Sequence, residues 1–76
     1  MERRILEILN EVNEEIIAYD GNNMYEEGIV TSVEVLDIVS MLEDEFDFEM
    51  AAEDIIAKNF ASKESIIELV QRYLNQ

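Results

Sequence analysis

Thr31, Ser32 and Glu34 stand together in "GIVTSVEVLDIV", residues 28–39, where a helical pattern of apolar residues switches on. One hydroxyl is enough to cap a helix. Thr31 followed three residues later by Glu34 matches the capping box, in which the threonine hydroxyl accepts from the N3 amide and the N3 carboxylate reaches back to the cap amide. That places Thr31 at the N-cap and Ser32 at the first helical position, free of capping duty. Ser32 is expected at the positive end of a helix, beside a loop and open to solvent. An anionic group attached there would be favoured by the free amides and the macrodipole. On local physics alone, Ser32 also reads as a helix-start residue with no further role.

Other chemistry is sparse. The 76 residues include no histidine and no cysteine, which removes the usual general base, thiolate nucleophile and zinc ligands. A self-sufficient enzyme is therefore not expected. Nineteen acids against five bases give a net charge of −14, which repels nucleic acid and anionic membrane surfaces and suits protein partners with basic patches. At 49% hydrophobic, the chain is too apolar for a disordered acidic tail. No apolar run approaches the roughly 18 residues of a membrane span, and the charged start "MERRILEILNE" does not read as a signal peptide. A soluble, monomeric, cytoplasmic protein is the expectation.

The elements that must position Ser32 read as helices almost throughout. In "RRILEILNEVNEEIIAYD", Ile5, Leu9, Val12 and Ile16 make one apolar stripe, with Asp20 and Gly21 stopping the helix and Gly21 expected as its left-handed C-terminal residue. Residues 20–30 form a loop whose Met24, Tyr25 and Ile29 should tuck against the bundle. A second helix is expected from Ser32 to Phe46, with Val35, Ile38, Val39, Leu42 and Phe46 facing inward. "AAEDIIAKNF" has room for a short third helix around Glu53 to Ala57. Ser62 caps a last helix, with Ile66, Val70 and Tyr73 or Leu74 facing in. No strand pattern, repeat or linker divides residues 1–76. The expected fold is all-α, a single small bundle of three main helices and one short one.

The stretch "GIVTSVEVLDIVSMLEDEFDFEM" resembles the core of acyl carrier proteins. "EDIIAKNFASKESIIELV" is similar to that family's short third helix, its Asn/Asp-Phe corner at Asn59 and Phe60, and its last helix. The resemblance spans about residues 5 to 75. It implies an acyl-carrier-type bundle in which Ser32 carries a covalent 4'-phosphopantetheine installed by a phosphopantetheinyl transferase. It also implies a non-catalytic carrier that presents acyl or aminoacyl thioesters to loading and transferring enzymes with basic surfaces. Fatty-acid, polyketide, nonribosomal peptide and D-alanyl systems all use such carriers. Two departures stand at the motif: Thr31 replaces the family's aspartate, and Val33 its leucine. Threonine supplies the cap but not the charge that lies next to the transferase's divalent cation and basic surface. The family's proline before the corner is also absent, with Ala57 and Lys58 in its place.

Acidic residues crowd the second helix. Glu34, Asp37 and Asp44 are expected away from the core stripe, beside Val33, Leu36 and Ser40, as an apolar strip edged with carboxylates. The resemblance assigns partner recognition to Val33, Glu34, Leu36, Asp37, Ser40, Glu43 and Asp44. Acids near a helix C-terminus oppose the macrodipole, so Glu43 to Asp47 read as stability given up for function. Two other readings compete. An interaction module could keep the carrier fold without the arm, a reading to which Thr31 lends weight. A calcium-binding loop is suggested by "DGNNMYEEG", but Met24, Tyr25 and Thr31 occupy its fifth, sixth and twelfth positions, where a ligand, glycine and glutamate are needed.

Overall fold

The computed structural model describes residues 1–75. Its helices are α1 (Glu2–Val12), α2 (Glu15–Ala18), α3 (Ser32–Phe46) and α4 (Lys63–Leu74), with 3₁₀ turns at Ala52–Asp54 and Ala57–Phe60. No strand occurs among the described residues. The protein is a small all-α bundle.

The first helix departs from its sequence reading. It is two pieces rather than one, because the chain leaves helical geometry at Asn13, with φ −159° and ψ 109°. Short polar side chains compete with the helix ladder by bonding backbone groups themselves. Asn13 does so locally and at long range. Its Oδ1 accepts from the Glu15 amide at 2.9 Å, starting α2, while its Nδ2 donates to the Ile29 carbonyl at 2.9 Å. The stripe survives the break, with Ile5, Leu9 and Ile16 buried, but Ile8 joins the core and Val12 is only half-buried.

Gly21 is not left-handed. Among the described residues, the positive-φ positions are Gly28 and Asp47. The Tyr19 side chain lies over Gly21, where an added Cβ would stand 2.5 Å from the phenol oxygen. Close approach, not turn geometry, is what glycine supplies there. Gly28, at φ +83°, turns the loop back toward α3.

Helix α3 keeps its expected limits. Val35, Ile38, Val39 and Leu42 are buried, Phe46 is half-buried, and Asp47 ends the helix in the left-handed region. The short third helix is absent. Around Glu53 to Ala57 the chain makes two single 3₁₀ turns, pinned by side chains. Tyr73 of α4 accepts the Ala51 amide at 2.9 Å and donates its hydroxyl to Asp54, and Asn59 Nδ2 donates to the Asp54 carbonyl at 2.8 Å. Burial, then the bond to Asp54, pushes the Tyr73 phenol pKa above its ordinary value.

Ser62 caps α4 in a reciprocal box with Ser65. Ile66, Leu69 and Val70 are buried, while Tyr73 and Leu74 are both half-buried. Loop residues complete the core: Met24, Val30, Met50 and Phe60 are each at most 6% exposed. No polar or charged residue among those described is buried.

Candidate functional site

Helix α3 starts where two polar networks meet. The capping box is present, with Thr31 Oγ1 accepting the Glu34 amide at 3.2 Å and Glu34 Oε1 accepting the Thr31 amide at 2.9 Å. Asn13 Nδ2 also lies 3.3 Å from Glu34 Oε2. The same Glu34 carboxylate therefore caps α3 and ties it to the α1–α2 junction. Ser32 takes no part in this. The first helical amides have no intrahelical acceptors, Glu34's is occupied by Thr31, and those of Ser32 and Val33 have no acceptor among the described residues, which leaves them for an external anion.

Ser32 is exposed, and its Oγ lies 2.8 Å from the Tyr25 hydroxyl. Both residues border an apolar cavity of about 250 Å³. Val35 and Leu36 of α3 form one wall. Ile55, Ile56 and Ala57, from the 3₁₀ segment, form the other, with the buried Phe60 ring beside them. The 3₁₀ turns thus give the serine an apolar neighbour. An anion on Ser32 Oγ would meet two free amides and a phenol. A flexible apolar chain attached through it could reach the cavity. These surroundings fit the phosphate and the thiol-bearing arm that the resemblance implies, although the Glu34 carboxylate nearby offsets part of the positive helix end.

The expected recognition residues divide into two sets. Val33, at 68% exposed, and Leu36, at 59%, present apolar surface beside Ser32. Leu36 borders the cavity, whereas Asp37 and Ser40 border a shallow groove against Glu11 and Val12 of α1. Asp44 is exposed. Glu34, read both as the N3 acid of the capping box and as an outer-face acid, is engaged in that box, and Glu43, which the resemblance assigns to recognition, is engaged as well. Both are half-buried, and Glu43 Oε2 accepts the Met50 amide at 2.7 Å, holding the chain that follows α3. Glu45 pairs with Arg4 of α1 at 3.1 Å. The acids near the end of α3 are thus partly structural, and the expectation that they only sacrifice stability needs that correction. Sequence reasoning also missed Ile56, which is 47% exposed and borders the same cavity as Leu36.

Among the described residues, no group of three or more acidic side chains is placed to hold a metal ion. In the loop proposed for calcium, Asn23 Oδ1 accepts the amides of Tyr25 and Glu26, both at 3.0 Å. No helix among those residues is long and apolar enough to cross a membrane.

No family model, curated protein or solved structure matches this chain. What fold and site define is a small all-α bundle. At the start of α3, Ser32 takes no part in the capping box and is exposed beside an apolar cavity.

The cap itself makes a test. Thr31→Ala should destabilise the protein by about 1 kcal/mol, the usual loss for an N-cap, and Thr31→Asp should hold or slightly raise stability. Urea unfolding of both variants measures this. An alanine variant as stable as the parent would show that the box contributes nothing.

Proposed function

We propose that this chain is a carrier of the acyl-carrier type, bearing 4'-phosphopantetheine on Ser32 and handing acyl or aminoacyl thioesters between enzymes. The observation that carries this reading is Ser32 itself: exposed, spare from capping, beside two unclaimed amides and bordering a cavity of about 250 Å³. The chain performs no chemistry on the cargo. The arm supplies the thioester, and tethering gives the cargo a high effective concentration at each partner. Partners are enzymes with basic surfaces, met by Val33, Leu36, Asp37, Ser40 and Asp44. Nucleic acid is not a partner at a net charge of −14. The chain works as a cytoplasmic monomer. Thr31 and Val33 at the motif favour a specialised system over the main fatty-acid carrier.

Attachment is the test. The Ser32 Oγ–phosphorus bond forms as the pyrophosphate P–O bond of coenzyme A breaks. Adenosine 3',5'-bisphosphate leaves with the electron pair, and the serine proton passes to the transferase's base. The protein incubated with coenzyme A and a broad-specificity transferase should gain one arm by intact mass, mapped to the peptide containing Ser32. Ser32→Ala should gain none, and Thr31→Asp should be modified faster than the parent. No gain with several transferases would leave the arm-less interaction module, whose apolar surface at Val33 and Leu36 is the same.

A further inference from the structure

Tyr25 is the residue at this site that neither composition nor periodicity singled out for chemistry. It is not carried on a loosely held loop. Its predecessor Met24 is fully buried, donates its amide to the Ala61 carbonyl at 2.8 Å, and accepts the Ile29 amide at 2.9 Å. The Tyr25 amide bonds Asn23 Oδ1, and its carbonyl accepts the Gly28 amide at 3.2 Å as the chain turns back. The ring packs against the core, and its hydroxyl has one hydrogen bond among the described residues, that to Ser32.

We propose that Tyr25 is the positioning residue of the Ser32 site, fixing the serine hydroxyl before attachment and donating to the phosphodiester afterwards. The first half stands on geometry alone; the second rests on the carrier reading. In the unmodified protein either hydroxyl can donate across the 2.8 Å contact, and the contact selects one serine rotamer at the cavity mouth. Attachment replaces the serine proton with phosphorus, so Oγ can then only accept. The phenol becomes the obligatory donor, to Oγ or to an anionic phosphate oxygen, and hydrogen bonds to charged acceptors are the stronger class. The phosphate is thereby held at the cavity mouth, with the arm leading away from a fixed point.

Tyr25→Phe removes the hydroxyl and keeps the ring. By NMR, Ser32 Hα–Hβ couplings in the unmodified parent should report one rotamer, and in the Phe variant an average over the staggered wells. Equal couplings in both would overturn the positioning role. With transferase and coenzyme A, the variant should show kcat lowered about three-fold, the share lost when three wells are sampled instead of one, at unchanged KM. A raised KM at unchanged kcat would instead mark Tyr25 as part of the transferase's docking surface and overturn positioning in attachment. In the modified protein the ³¹P resonance should move and sharpen on Tyr25→Phe; an unmoved resonance would overturn the donor role. If neither protein takes the arm, the carrier reading and the donor role fall together, and the couplings still decide whether Tyr25 fixes Ser32.

Discussion

Glu34→Lys is expected to destabilise the protein by about 2–4 kcal/mol, whereas Asp37→Lys should leave it within about 0.5 kcal/mol or improve it. The two substitutions remove the same negative charge and add the same positive one, three residues apart on one helix. They relieve the net charge of −14 equally. What differs is the work of the carboxylate. Glu34 accepts the Thr31 amide at 2.9 Å and lies within 3.3 Å of Asn13 Nδ2, while Asp37 is exposed on α3. Hydrogen bonds to a charged group contribute about 1.5–3 kcal/mol, and a lysine in the first turn adds repulsion from the positive helix end. A single core of this size supplies only roughly 3–5 kcal/mol, so the Glu34 variant should be largely unfolded near body temperature. Circular dichroism melts of both variants decide it. Glu34→Gln should fall between them, since the amide oxygen can still accept from Thr31. Matching melts for the two lysine variants would mean that the Glu34 bonds add nothing and that its place is on the recognition face after all.

This contrast also marks where the sequence was legible. The start of α3 was readable because a capping box is local: Thr31 and Glu34 satisfy each other within one turn, and the apolar spacing from Val35 to Leu42 runs on without a break. Ser62 was readable for the same reason. The break at Asn13 was not, because "EVNEEII" has unbroken helical spacing and, besides its local bond to the Glu15 amide, Asn13 bonds the Ile29 carbonyl, 16 residues away. The third helix failed similarly. Residues 53–57 have ordinary helical composition, but Tyr73, Asn59 and Glu43 claim the surrounding backbone groups from outside the segment. The candidate site divides along the same line. Ser32 followed from local logic, whereas Tyr25 and the cavity wall of Ile55 and Ile56 depend on where the loop and the 3₁₀ turns come to rest.

Charge did not need the fold to be read, yet the fold changes what it means. Glu34, Glu43 and Glu45 are held by an amide, an amide and Arg4 respectively, while Asp37 and Asp44 remain exposed. An exposed pair such as Arg4–Glu45 adds little to stability, because solvent screens it. Structural use therefore accounts for only part of the acidity of α3, and the free carboxylates edge the apolar surface of Val33 and Leu36 beside the serine. On the carrier reading proposed above, a partner groove lined with Lys and Arg would meet that edge.

Salt should therefore move folding and partner binding in opposite directions. At −14 in 76 residues, with five basic side chains to offset nineteen acids, the folded state repels itself. The Debye length shrinks from about 30 Å at 0.01 M salt to about 10 Å at 0.1 M, well inside the 30 × 25 × 19 Å extent of the molecule. Raising salt across that range should raise the melting temperature, by about 4–8 °C for each 1 kcal/mol of repulsion relieved. Millimolar magnesium or calcium should raise it further by diffuse screening, with no fixed stoichiometry; tight binding of one calcium ion would instead revive the loop at Asp20 to Thr31. Binding of the proposed transferase should weaken over the same range, because exposed carboxylates meeting Lys and Arg are screened alike. Asp37→Lys and Asp44→Lys should each reduce that salt dependence while holding or raising the melt. Partner affinity that ignores salt and both reversals would show that α3 is acidic for solubility alone, and recognition would then rest on Val33, Leu36 and Ile56.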